Sequence, residues 1–493
     1  MNYSAFLLWF FCVLTFLSIL TTARRILFAS KLPPGPFPLP IVGNLFKLAG
    51  NNLILHESLA KLAKIYGPLM TLEFGSLTTV VVSSDKMAQQ VLQKHDNSFS
   101  GRTVPDVLNI LGHHEASIIF AQPSPYWRNI RKLCVSQMFS SQRLNSNDQL
   151  RLMKVKQGHL INYIRDNAKS RCAVNIGQVV FSTALSIIST NVFSIDLTQS
   201  ESAQDFKGVV SKIMEEIKRP NLAGCFPLLS SFDLQGIKKR MLNYFQKLDN
   251  IFDRIIDQRL QSKEEINLSN GDVLDALLHH TQDDGSNLSH SSIKSILKDL
   301  FIAGTDTTTV TLEWTMAELL RNPDILAKAR LELKKTIDKE KAVEESDIAQ
   351  LPYLQAIVKE TMRLHPAIPL LPHRAEADTD ICSFTVPRHA EVLINVWAIG
   401  RDPDIWINPI SFQPDRFLCS NVDFRGRNFE FIPFGAGRRI CPGLPMAYRM
   451  VHLTLASLLH TFDWELEAGE MVSEKSELVL QKPGRLCAIP IEA

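Results

Sequence analysis

The sequence predicts a mainly helical protein with small β-sheets, preceded by one N-terminal transmembrane helix. Three features lead to this fold class. Residues 1–23 carry no charged side chain, residues 292–322 form one long apolar-rich run, and residues 70–84 are rich in β-branched side chains around a single glycine. About 20 uncharged apolar residues can cross a bilayer. A run that begins at Ser and stops at Asn-Pro is typical of a helix, and β-branched residues around a glycine favour a hairpin of strands.

The membrane segment is followed, not preceded, by basic residues. Arg24, Arg25 and Lys31 come after residues 1–23, and no basic side chain lies before them. The positive-inside rule then leaves the downstream chain in the cytosol. The alternative is a cleaved signal peptide, which should carry its positive charge before the apolar region. We therefore expect an uncleaved anchor, followed at residues 24–40 by a basic connector that five prolines stiffen.

Composition indicates an ordinary globular body at residues 41–493. Of the 493 residues, 45% are apolar and 21% charged, and a net charge of +2 gives no indication of a nucleic-acid partner. The eight cysteines are scattered without a CxxC pair, which argues against a disulfide framework or a zinc site. Further helices are predicted at residues 324–337 and 353–365, and strand-like segments at residues 390–400 and 484–491.

Residues 431–443, FIPFGAGRRICPG, place a cysteine two positions after a pair of arginines. The glycines let the backbone approach a large flat object, and an arginine can reach an anionic group as a planar fork. A metal-ligating cysteine must be a thiolate, and one large, flat, anionic group that takes a thiolate is haem. On these residues alone, a glycine-rich turn with a buried thiol stays open. The ordered set is Phe434, Gly437, Arg439, Cys441 and Gly443.

With this set the chain resembles the cytochrome P-450 superfamily over essentially its whole length. In that family the cysteine of the motif is the proximal haem ligand, and the matching residue is Cys441. The resemblance implies the cytochrome P-450 fold, a haem-thiolate catalytic domain at residues 41–493 and haem b (iron protoporphyrin IX) as cofactor. It also implies cofactor contacts from Phe434, Gly437, Arg439 and Gly443.

The hexapeptide AGTDTT, residues 303–308, lies in the middle of the long predicted helix. Its small residues lie about one turn from its threonines and share their face. Glycine and threonine weaken a helix interior, so something is expected to fit against this face. It is either another helix or, where the helix passes over haem, oxygen and water. The resemblance assigns the catalytic role, proton delivery during oxygen activation, to Asp306 and Thr307.

The sequence ETMR, residues 360–363, puts an acid and a base on one helix face. In isolation such a pattern is almost always a solvated surface pair. The resemblance instead makes it part of a buried structural network with an arginine from FQPDRF, residues 412–417. The members of that network would be Glu360, Arg363 and Arg416.

In YWRNIRK, residues 126–132, the resemblance assigns haem-propionate contacts to Trp127 and Arg131. Arg374 lies where the family often has another such contact, and the neighbouring His373 could share or replace that role. Two more basic residues of this segment would face either a negatively charged redox partner or simply solvent. They are Arg128 and Lys132.

Motifs of other enzyme classes are missing from the sequence, which contains no HExxH, GxSxG or Walker-type loop. GHHEAS, residues 112–117, offers His113 and His114 as metal ligands. Adjacent histidines point in different directions, and no third ligand is near, so a loop is expected there.

The segments PPGP, AIGRDP and PFGAGRRICPG resemble the plant microsomal members of the family. That resemblance implies a single-pass protein of the endoplasmic reticulum membrane with a cytosolic catalytic domain. It implies monooxygenation of a hydrophobic small molecule with O2 and with electrons from NADPH through a separate reductase. Cytochrome b5 is a further candidate electron donor. The chain is most similar to terpenoid hydroxylases that act on geraniol or abietane diterpenes, so a mono- or diterpenoid is the predicted substrate.

The substrate contacts that the resemblance implies are mostly aliphatic, which is typical of a pocket for a hydrophobic ligand. They are Leu108, Ile110, Ile118, Ile119, Phe301, Ala303, Ile368, Leu370 and Val479. Three alternatives stay open: an oxidase of phenylpropanoids, flavonoids or other apolar plant metabolites, a haem-thiolate isomerase or dehydratase that needs no reductase, and a non-catalytic haem sensor. Isomerases of this kind commonly lack the acid–alcohol pair that this chain carries.

Overall fold

The computed structural model describes residues 31–48, 54–199, 203–219, 221–262, 271–280, 288–467 and 486–492. The predicted membrane anchor at residues 1–23, the first seven residues of the connector and the predicted pocket residue Val479 lie outside these ranges.

Helices are the main elements of the described chain. In chain order they are α1 (Leu45–Leu48), α2 (Leu55–Tyr66), α3 (Asp85–Gln89), α4 (His113–Ala116), α5 (Pro125–Cys134), α6 (Ser141–Leu144), α7 (Asn147–Lys169), α8 (Ile176–Phe193), α9 (Ala203–Lys218), α10 (Leu222–Cys225), α11 (Ile237–Ser262), α12 (Val273–His280), α13 (His290–Arg321), α14 (Pro323–Thr336), α15 (Pro352–Leu364), α16 (Val396–Ile399) and α17 (Leu444–Thr461). Short 3-10 and π-helical segments connect several of them.

The longest helix, α13, has the boundaries that its sequence directs. The Ser289 hydroxyl accepts a hydrogen bond from the Ser292 amide at 3.1 Å and so caps the helix N-terminus. The helix ends before Asn322 because Pro323 follows and disfavours helical backbone in the residue before it. The predictions of helices at residues 292–322, 324–337 and 353–365 are confirmed to within two residues by α13, α14 and α15.

Nine strands form three small sheets among the described residues. They are β1 (Leu69–Phe74), β2 (Leu77–Val82), β3 (Val174–Asn175), β4 (Leu370–Arg374), β5 (Thr379–Ile381), β6 (Phe384–Val386), β7 (Glu391–Asn395), β8 (Phe462–Leu466) and β9 (Cys487–Glu492). The largest sheet has the order β1-β2-β7-β4, and its β2–β7 pair is parallel. The prediction of a mainly helical protein with small β-sheets is therefore confirmed.

The described part of the connector packs along the first sheet. The amide of Thr71 in β1 donates to the Pro34 carbonyl at 2.9 Å, and the Asn44 side-chain amide donates to the Pro36 carbonyl at 3.2 Å. A Cβ on Gly35 would lie 1.9 Å from the Thr71 carbonyl oxygen, so only glycine allows this approach. The prolines thus lead an extended segment onto the globular body.

Helix α13 runs through the largest hydrophobic cluster and packs mainly against α8. Among the described residues, α8 is the one helix apolar and long enough to cross a membrane, and 61% of it is buried inside the protein. Its contact with α13 accounts for that apolar surface, so α8 is a core helix. Most residues of α13 are buried as well, but Ala303, at its middle, is exposed. Open space therefore faces the centre of the longest helix.

Candidate active site

The Cys441 side chain is partly buried in a turn directly before helix α17. The Cys441 amide donates to the Phe434 carbonyl at 2.9 Å, and the amides of Gly443 and Leu444 donate to the sulfur. Burial raises the pKa of the thiol, while the Gly443 amide and the positive charge of Arg131 oppose that increase. A thiolate here lies at the positive end of an 18-residue helix. Burial disfavours the negative charge of a thiolate, and a bound metal cation would offset that cost. The turn would therefore hold Cys441 as a thiolate once such a cation binds.

Glycine is required in this turn at one position in particular. Gly437 has φ +66°, and a Cβ there would lie 2.2 Å from the Leu92 carbonyl oxygen. Both the left-handed backbone and the close approach exclude a side chain. The predicted role of Gly437 in shaping the cysteine turn thus has a steric basis.

Three arginines converge beside the cysteine turn, although burial disfavours their charges. Burial and the charge of Arg131 lower the pKa of Arg102 to about 10. Burial and the charges of Arg102 and Arg131 lower the pKa of Arg439 to about 9, and Glu376 opposes this only in part. Like charges held together away from water are stabilised by an anion. The cluster is therefore a candidate site for carboxylates, such as the two propionates of haem.

The hydrogen bonds of Arg439 leave one nitrogen for such an anion. Its Nε donates to the Ser100 carbonyl at 2.8 Å and its Nη2 to the Ala121 carbonyl at 2.6 Å. Its Nη1 is buried and makes no hydrogen bond to the residues that the structure describes. Buried donors are normally satisfied, so this nitrogen fits a propionate oxygen. These residues therefore fit haem: a sulfur for the iron and donors for its carboxylates.

The predicted residues Trp127 and Arg131 belong to the same cluster. The Trp127 indole Nε1 donates to the Ile118 carbonyl at 2.9 Å, and one guanidinium nitrogen of Arg131 donates to the Ile440 carbonyl. Arg131 thus reaches the residue before Cys441 and links helix α5 to the cysteine turn.

Arg374 and His373 point to opposite faces of strand β4, as neighbours in a strand do. Arg374 donates to Glu376 at 3.0 Å and to Gln122 at 3.1 Å. His373 is buried, its Nδ1 donates to the Phe99 carbonyl at 2.8 Å, and burial with the charge of Arg102 lowers its pKa to about 3. His373 is therefore a neutral neighbour of the buried arginine cluster, whereas the guanidinium of Arg374 pairs with the Glu376 carboxylate nearer the surface.

Arg102 was not among the residues singled out from the sequence. One of its guanidinium nitrogens donates to the Pro372 carbonyl and its Nε to the Ile119 carbonyl. It follows FSG, which carries no recognisable motif, and only its charge could have drawn attention to it. The tertiary fold brings it to the other arginines.

The two small residues in the middle of α13 lie in different surroundings: one packs against a neighbouring helix and the other faces open space. A Cβ on Gly304 would lie 2.6 Å from Ile188 Cδ1 in α8, so glycine here permits close helix packing. Ala303 is exposed, and the Thr307 hydroxyl, partly exposed, donates to the Ala303 carbonyl at 2.7 Å. Asp306 is buried. The helix-packing interpretation thus applies to Gly304, whereas Ala303 and Thr307 face open space.

Glu360, Arg363 and Arg416 lie together in the interior. Two nitrogens of Arg363 donate to the Glu360 carboxylate at 2.7 and 2.8 Å, and Arg416 Nε donates to it at 3.1 Å. The Gln413 amide adds a fourth donor at 2.8 Å. The side chains of Glu360 and Arg363 are 0% exposed, so this is a buried network and not a surface pair.

The predicted pocket residues fall into two groups. Ala303 and Ile368 are exposed, and Ile119 and Leu370 are partly exposed, whereas Leu108 and Ile118 are buried. Phe301 is buried as well, and its pocket role stays a prediction. Its fully buried ring lies 5.2 to 5.8 Å from three other phenylalanine rings and belongs to the helix core. The side chain of Ile110 lies outside what the structure describes, as Val479 does.

The expectation of a loop at the paired histidines is wrong. His113 is the first residue of α4, is 2% exposed, and pairs through Nε2 with Asp299 of α13 at 3.1 Å. Asp299 belongs to no recognisable sequence motif, so its pairing with His113 could be recognised only from the fold.

Comparisons with known proteins agree with this geometry. The profile of the family described as Cytochrome P-450 matches residues 33–488. The chain is 48% identical over 472 residues to cytochrome P-450 76T24 of Catharanthus roseus, covering 94% of each chain. It is 46% identical over 490 residues to geraniol 8-hydroxylase of Swertia mussotii, covering 97% of this chain and 98% of that protein. A zebra fish cytochrome P-450 solved with progesterone superposes with a TM-score of 0.79 at 26% identity, over 89% of this chain and 100% of that one.

The family profile spans most of the chain, and the relatives match it end to end. Membership implies haem with a cysteine thiolate as axial ligand, a redox partner that supplies electrons, O2 as co-substrate and a hydrophobic substrate. The resemblance inferred from the sequence motifs is confirmed. The chain belongs to the cytochrome P-450 family and is a haem-thiolate monooxygenase.

Proposed function

We propose that this enzyme hydroxylates a mono- or diterpenoid at the cytosolic face of the endoplasmic reticulum membrane, with Cys441 as the axial ligand of haem b. The observation that carries the assignment of the site is the Cys441 sulfur, which lies partly buried at the start of α17, accepts from two backbone amides and is beside a cluster of arginines. A flat dianion carrying a thiolate-binding iron satisfies both features.

Residues of this chain would bind the propionates at the edge of the haem and, through Cys441, its iron. Arg131, Arg439 and Trp127 are the propionate contacts predicted from the motifs, and the geometry adds Arg102 as a candidate. The neutral His373 uses its Nδ1–H on the Phe99 carbonyl, so the geometry does not favour it as a donor to a propionate. Haem, when bound, supplies the activation of molecular oxygen from which one atom enters a C–H bond. Arg374 stays a weaker prediction for the cofactor because Glu376 and Gln122 hold its guanidinium. Phe434, Gly437 and Gly443 would shape the turn around the sulfur.

Asp306 and Thr307 would move protons at the open face of α13. The Thr307 hydroxyl, now bonded to the Ala303 carbonyl, lies on the partly exposed side of the helix and would donate its proton there. The buried Asp306 is adjacent in the chain, and its carboxyl group would return a proton to the Thr307 Oγ1. An acid–alcohol pair in the middle of α13, with its hydroxyl at the open face, supports a monooxygenase rather than an isomerase.

The substrate class rests on pocket chemistry and on relatives. The predicted contacts Ile119, Ile368 and Leu370 keep exposed or partly exposed aliphatic surface, which suits a ligand with few polar groups. A relative with 46% identity is named geraniol 8-hydroxylase. Together these favour a terpenoid over a phenylpropanoid or flavonoid.

Exposed apolar side chains support attachment to a membrane beyond the anchor. Phe37 and Leu39 of the connector are 69% and 50% exposed, and Phe232 and Leu234 are 70% and 67% exposed. The two groups are joined through the β1–β2 turn, because the Ser76 amide donates to the Cys225 carbonyl at 3.0 Å. Apolar side chains in such a patch can insert into the headgroup region. This orientation places the connector at the bilayer, where a single-pass anchor requires it.

Electrons would arrive from NADPH-cytochrome P-450 reductase, with cytochrome b5 as a second candidate donor. Arg128 and Lys132 are exposed on α5, the helix that also carries Trp127 and Arg131. An exposed basic surface next to the cofactor edge suits a negatively charged flavoprotein.

The test combines one spectrum with one product analysis. The full chain and two variants, Cys441→Ala and Cys134→Ala, are reduced and exposed to carbon monoxide. We expect the long-wavelength Soret band of thiolate ligation in the wild type and in Cys134→Ala, whose thiol is also buried, and its loss in Cys441→Ala. With reductase and NADPH, geraniol or an abietane olefin should yield hydroxylated product. Turnover of phenylpropanoids alone would reject the terpenoid assignment, and turnover without NADPH would reject the monooxygenase assignment.

A further inference from the structure

The carboxylate of Asp299 fastens the segment of residues 117–120 to helix α13. Its Oδ2 accepts hydrogen bonds from the Ser117 hydroxyl at 2.7 Å, from the Ile118 amide at 2.7 Å and from the Ile119 amide at 3.3 Å. Asp299 is 4% exposed. A buried carboxylate that accepts several donors is stabilised as an anion and holds those donors in fixed positions.

The other carboxylate oxygen of Asp299 is held by His113. The His113 Nε2 lies 3.1 Å from Oδ1, and the imidazole ring packs edge-on against Phe245 of α11, with 5.1 Å between ring centroids. Gly112, with φ +65°, turns the chain directly before His113. Asp299 thus binds helix α4 and the following turn at once.

Trp127 and Arg102, which lie at the arginine cluster, also hold this segment. The Trp127 indole donates to the Ile118 carbonyl at 2.9 Å, and Arg102 Nε donates to the Ile119 carbonyl at 3.2 Å. Residues 117–120 are therefore hydrogen-bonded to helix α13 on one side and to the residues that would hold the cofactor on the other.

The spacing along α13 places this attachment on the open face of the helix. Asp299, Ala303 and Thr307 follow one another at intervals of four residues, so they share one face. Asp299 lies two turns before Thr307, or about 12 Å along the axis. The segment that it holds keeps partly exposed apolar side chains, Ile119 and Phe120. Asp299 thus attaches a segment with partly exposed apolar side chains to the helix face that carries Ala303 and Thr307.

We propose that Asp299 and His113 are positioning residues that determine where the substrate lies relative to Thr307. They fix the backbone of residues 117–120, so that Ile119 and Phe120 form a rigid wall and limit the C–H bonds that can reach the site of oxygen activation. This inference rests on the proposed function, since it concerns the same pocket. Neither residue takes part in the chemistry itself.

The test compares four variants of the full-length holoenzyme. Asp299→Ala removes the acceptor for all four donors, and His113→Leu removes one donor while filling its volume. His113→Gln restores a donor and serves as the conservative rescue. Asp249→Asn is the matched control. Asp249 of α11 pairs at 2.6 Å with the buried Lys298, which precedes Asp299 on α13, but Asp249 does not contact residues 117–120.

Three measurements are made on each variant. Hydrogen–deuterium exchange of peptides covering residues 113–126 reports the attachment without any substrate. Spectral titration with geraniol, and with 4-phenylimidazole as an iron-binding aryl probe, reports binding. The ratio of geraniol oxidation products reports positioning.

We expect Asp299→Ala and His113→Leu to show faster exchange in this segment and a changed product ratio. The dissociation constants should rise about tenfold, the size expected when hydrogen bonds to a buried charge are lost. His113→Gln and Asp249→Asn should resemble the wild type. Unchanged exchange and product ratio in Asp299→Ala, or equal effects in Asp249→Asn, would overturn the inference.

Failure of the proposed function gives a different pattern. A wild type that lacks the thiolate Soret band, or that oxidises no terpenoid, contradicts the function, while exchange and 4-phenylimidazole binding still decide the positioning role. If Asp299→Ala does not retain haem, His113→Leu against His113→Gln decides it, because that pair leaves the three donors to Oδ2 in place.

Discussion

The guanidinium carbon of Arg439 lies 4.0 Å from the centroid of the Trp127 ring, inside a cluster of arginines that lower one another's pKa. Stacking on an aromatic face stabilises a cation that burial would otherwise disfavour. The pair thus holds Arg439 in place with its Nη1 available for an anion.

Replacing Arg439 by Met should weaken haem retention about tenfold, because a hydrogen bond to a charged group is lost. The neighbouring Arg438 offers a matched control, since it is half exposed and pairs with Asp96 at 3.0 Å. Haem content after gel filtration, measured by the pyridine haemochrome method, checks the prediction. Equal haem loss in Arg438→Met and Arg439→Met would contradict it.

Replacing Thr307 by Ala should uncouple electron use from product formation, because the hydroxyl proton at the open face of α13 is lost. Proton delivery of this kind typically contributes about 100-fold or more. We expect product per NADPH to fall by about that factor while NADPH consumption continues. Thr308→Ala is the control, because the Thr308 hydroxyl is buried and bonds to Gly304. A fully coupled Thr307→Ala enzyme would remove Thr307 from the mechanism.

Replacing Glu360 by Gln should destabilise the protein by about 3–5 kcal/mol, because two buried arginines lose their counter-charge. The Asp166–Lys169 pair has the same spacing of three residues but is exposed at both ends. Asp166→Asn should therefore change stability by less than about 1 kcal/mol. Denaturant unfolding followed by the Soret band checks both variants. Similar midpoints for the two would show that the buried network contributes no more than a surface pair.

Acidification should destabilise the fold between about pH 6.5 and pH 4. Burial lowers the pKa of His56 and of His452 to about 4, so in this window the unfolded chain binds protons that the folded chain does not. Stability therefore falls as pH falls, by about 1.4 kcal/mol per pH unit for each such histidine. His452→Leu should make thermal stability less dependent on pH between 6.5 and 5. An unchanged slope in that variant would contradict the assignment.

The apolar patch around Phe232 should contribute to membrane binding independently of the anchor. With residues 1–23 removed, the chain should still bind phosphatidylcholine vesicles, and Phe232→Ser with Leu234→Ser should weaken this binding about tenfold or more, since two large apolar side chains no longer insert. Ile407 and Ile410 are 79% and 80% exposed and provide the control substitutions. Vesicle flotation measures all three proteins. Equal loss in the control would show that the patch has no special role.

Sequence patterns predicted the parts of the fold and site that are local. Residues 431–443 contain the cysteine, its glycines and two arginines within thirteen positions, and α13 has clear start and stop signals. Arg102, His113 and Asp299 could not be predicted in the same way, because each acquires its role from partners far away in sequence. The Asp299–Ile118 hydrogen bond spans 181 residues. The packing of Phe301 has the same origin: its helix was predicted correctly, but its ring contacts three phenylalanine rings from other helices.

Strands β2 and β7 pair in parallel, and the Thr79 hydroxyl meets the Glu391 carboxylate 312 residues further along the chain. During translation, the amino-terminal hairpin therefore cannot complete this sheet until most of the polypeptide has left the ribosome. Long-range pairing of this kind is slow and leaves a sheet edge uncovered meanwhile. The nascent enzyme should consequently depend on chaperones until β7 arrives, and haem should enter only after that late step.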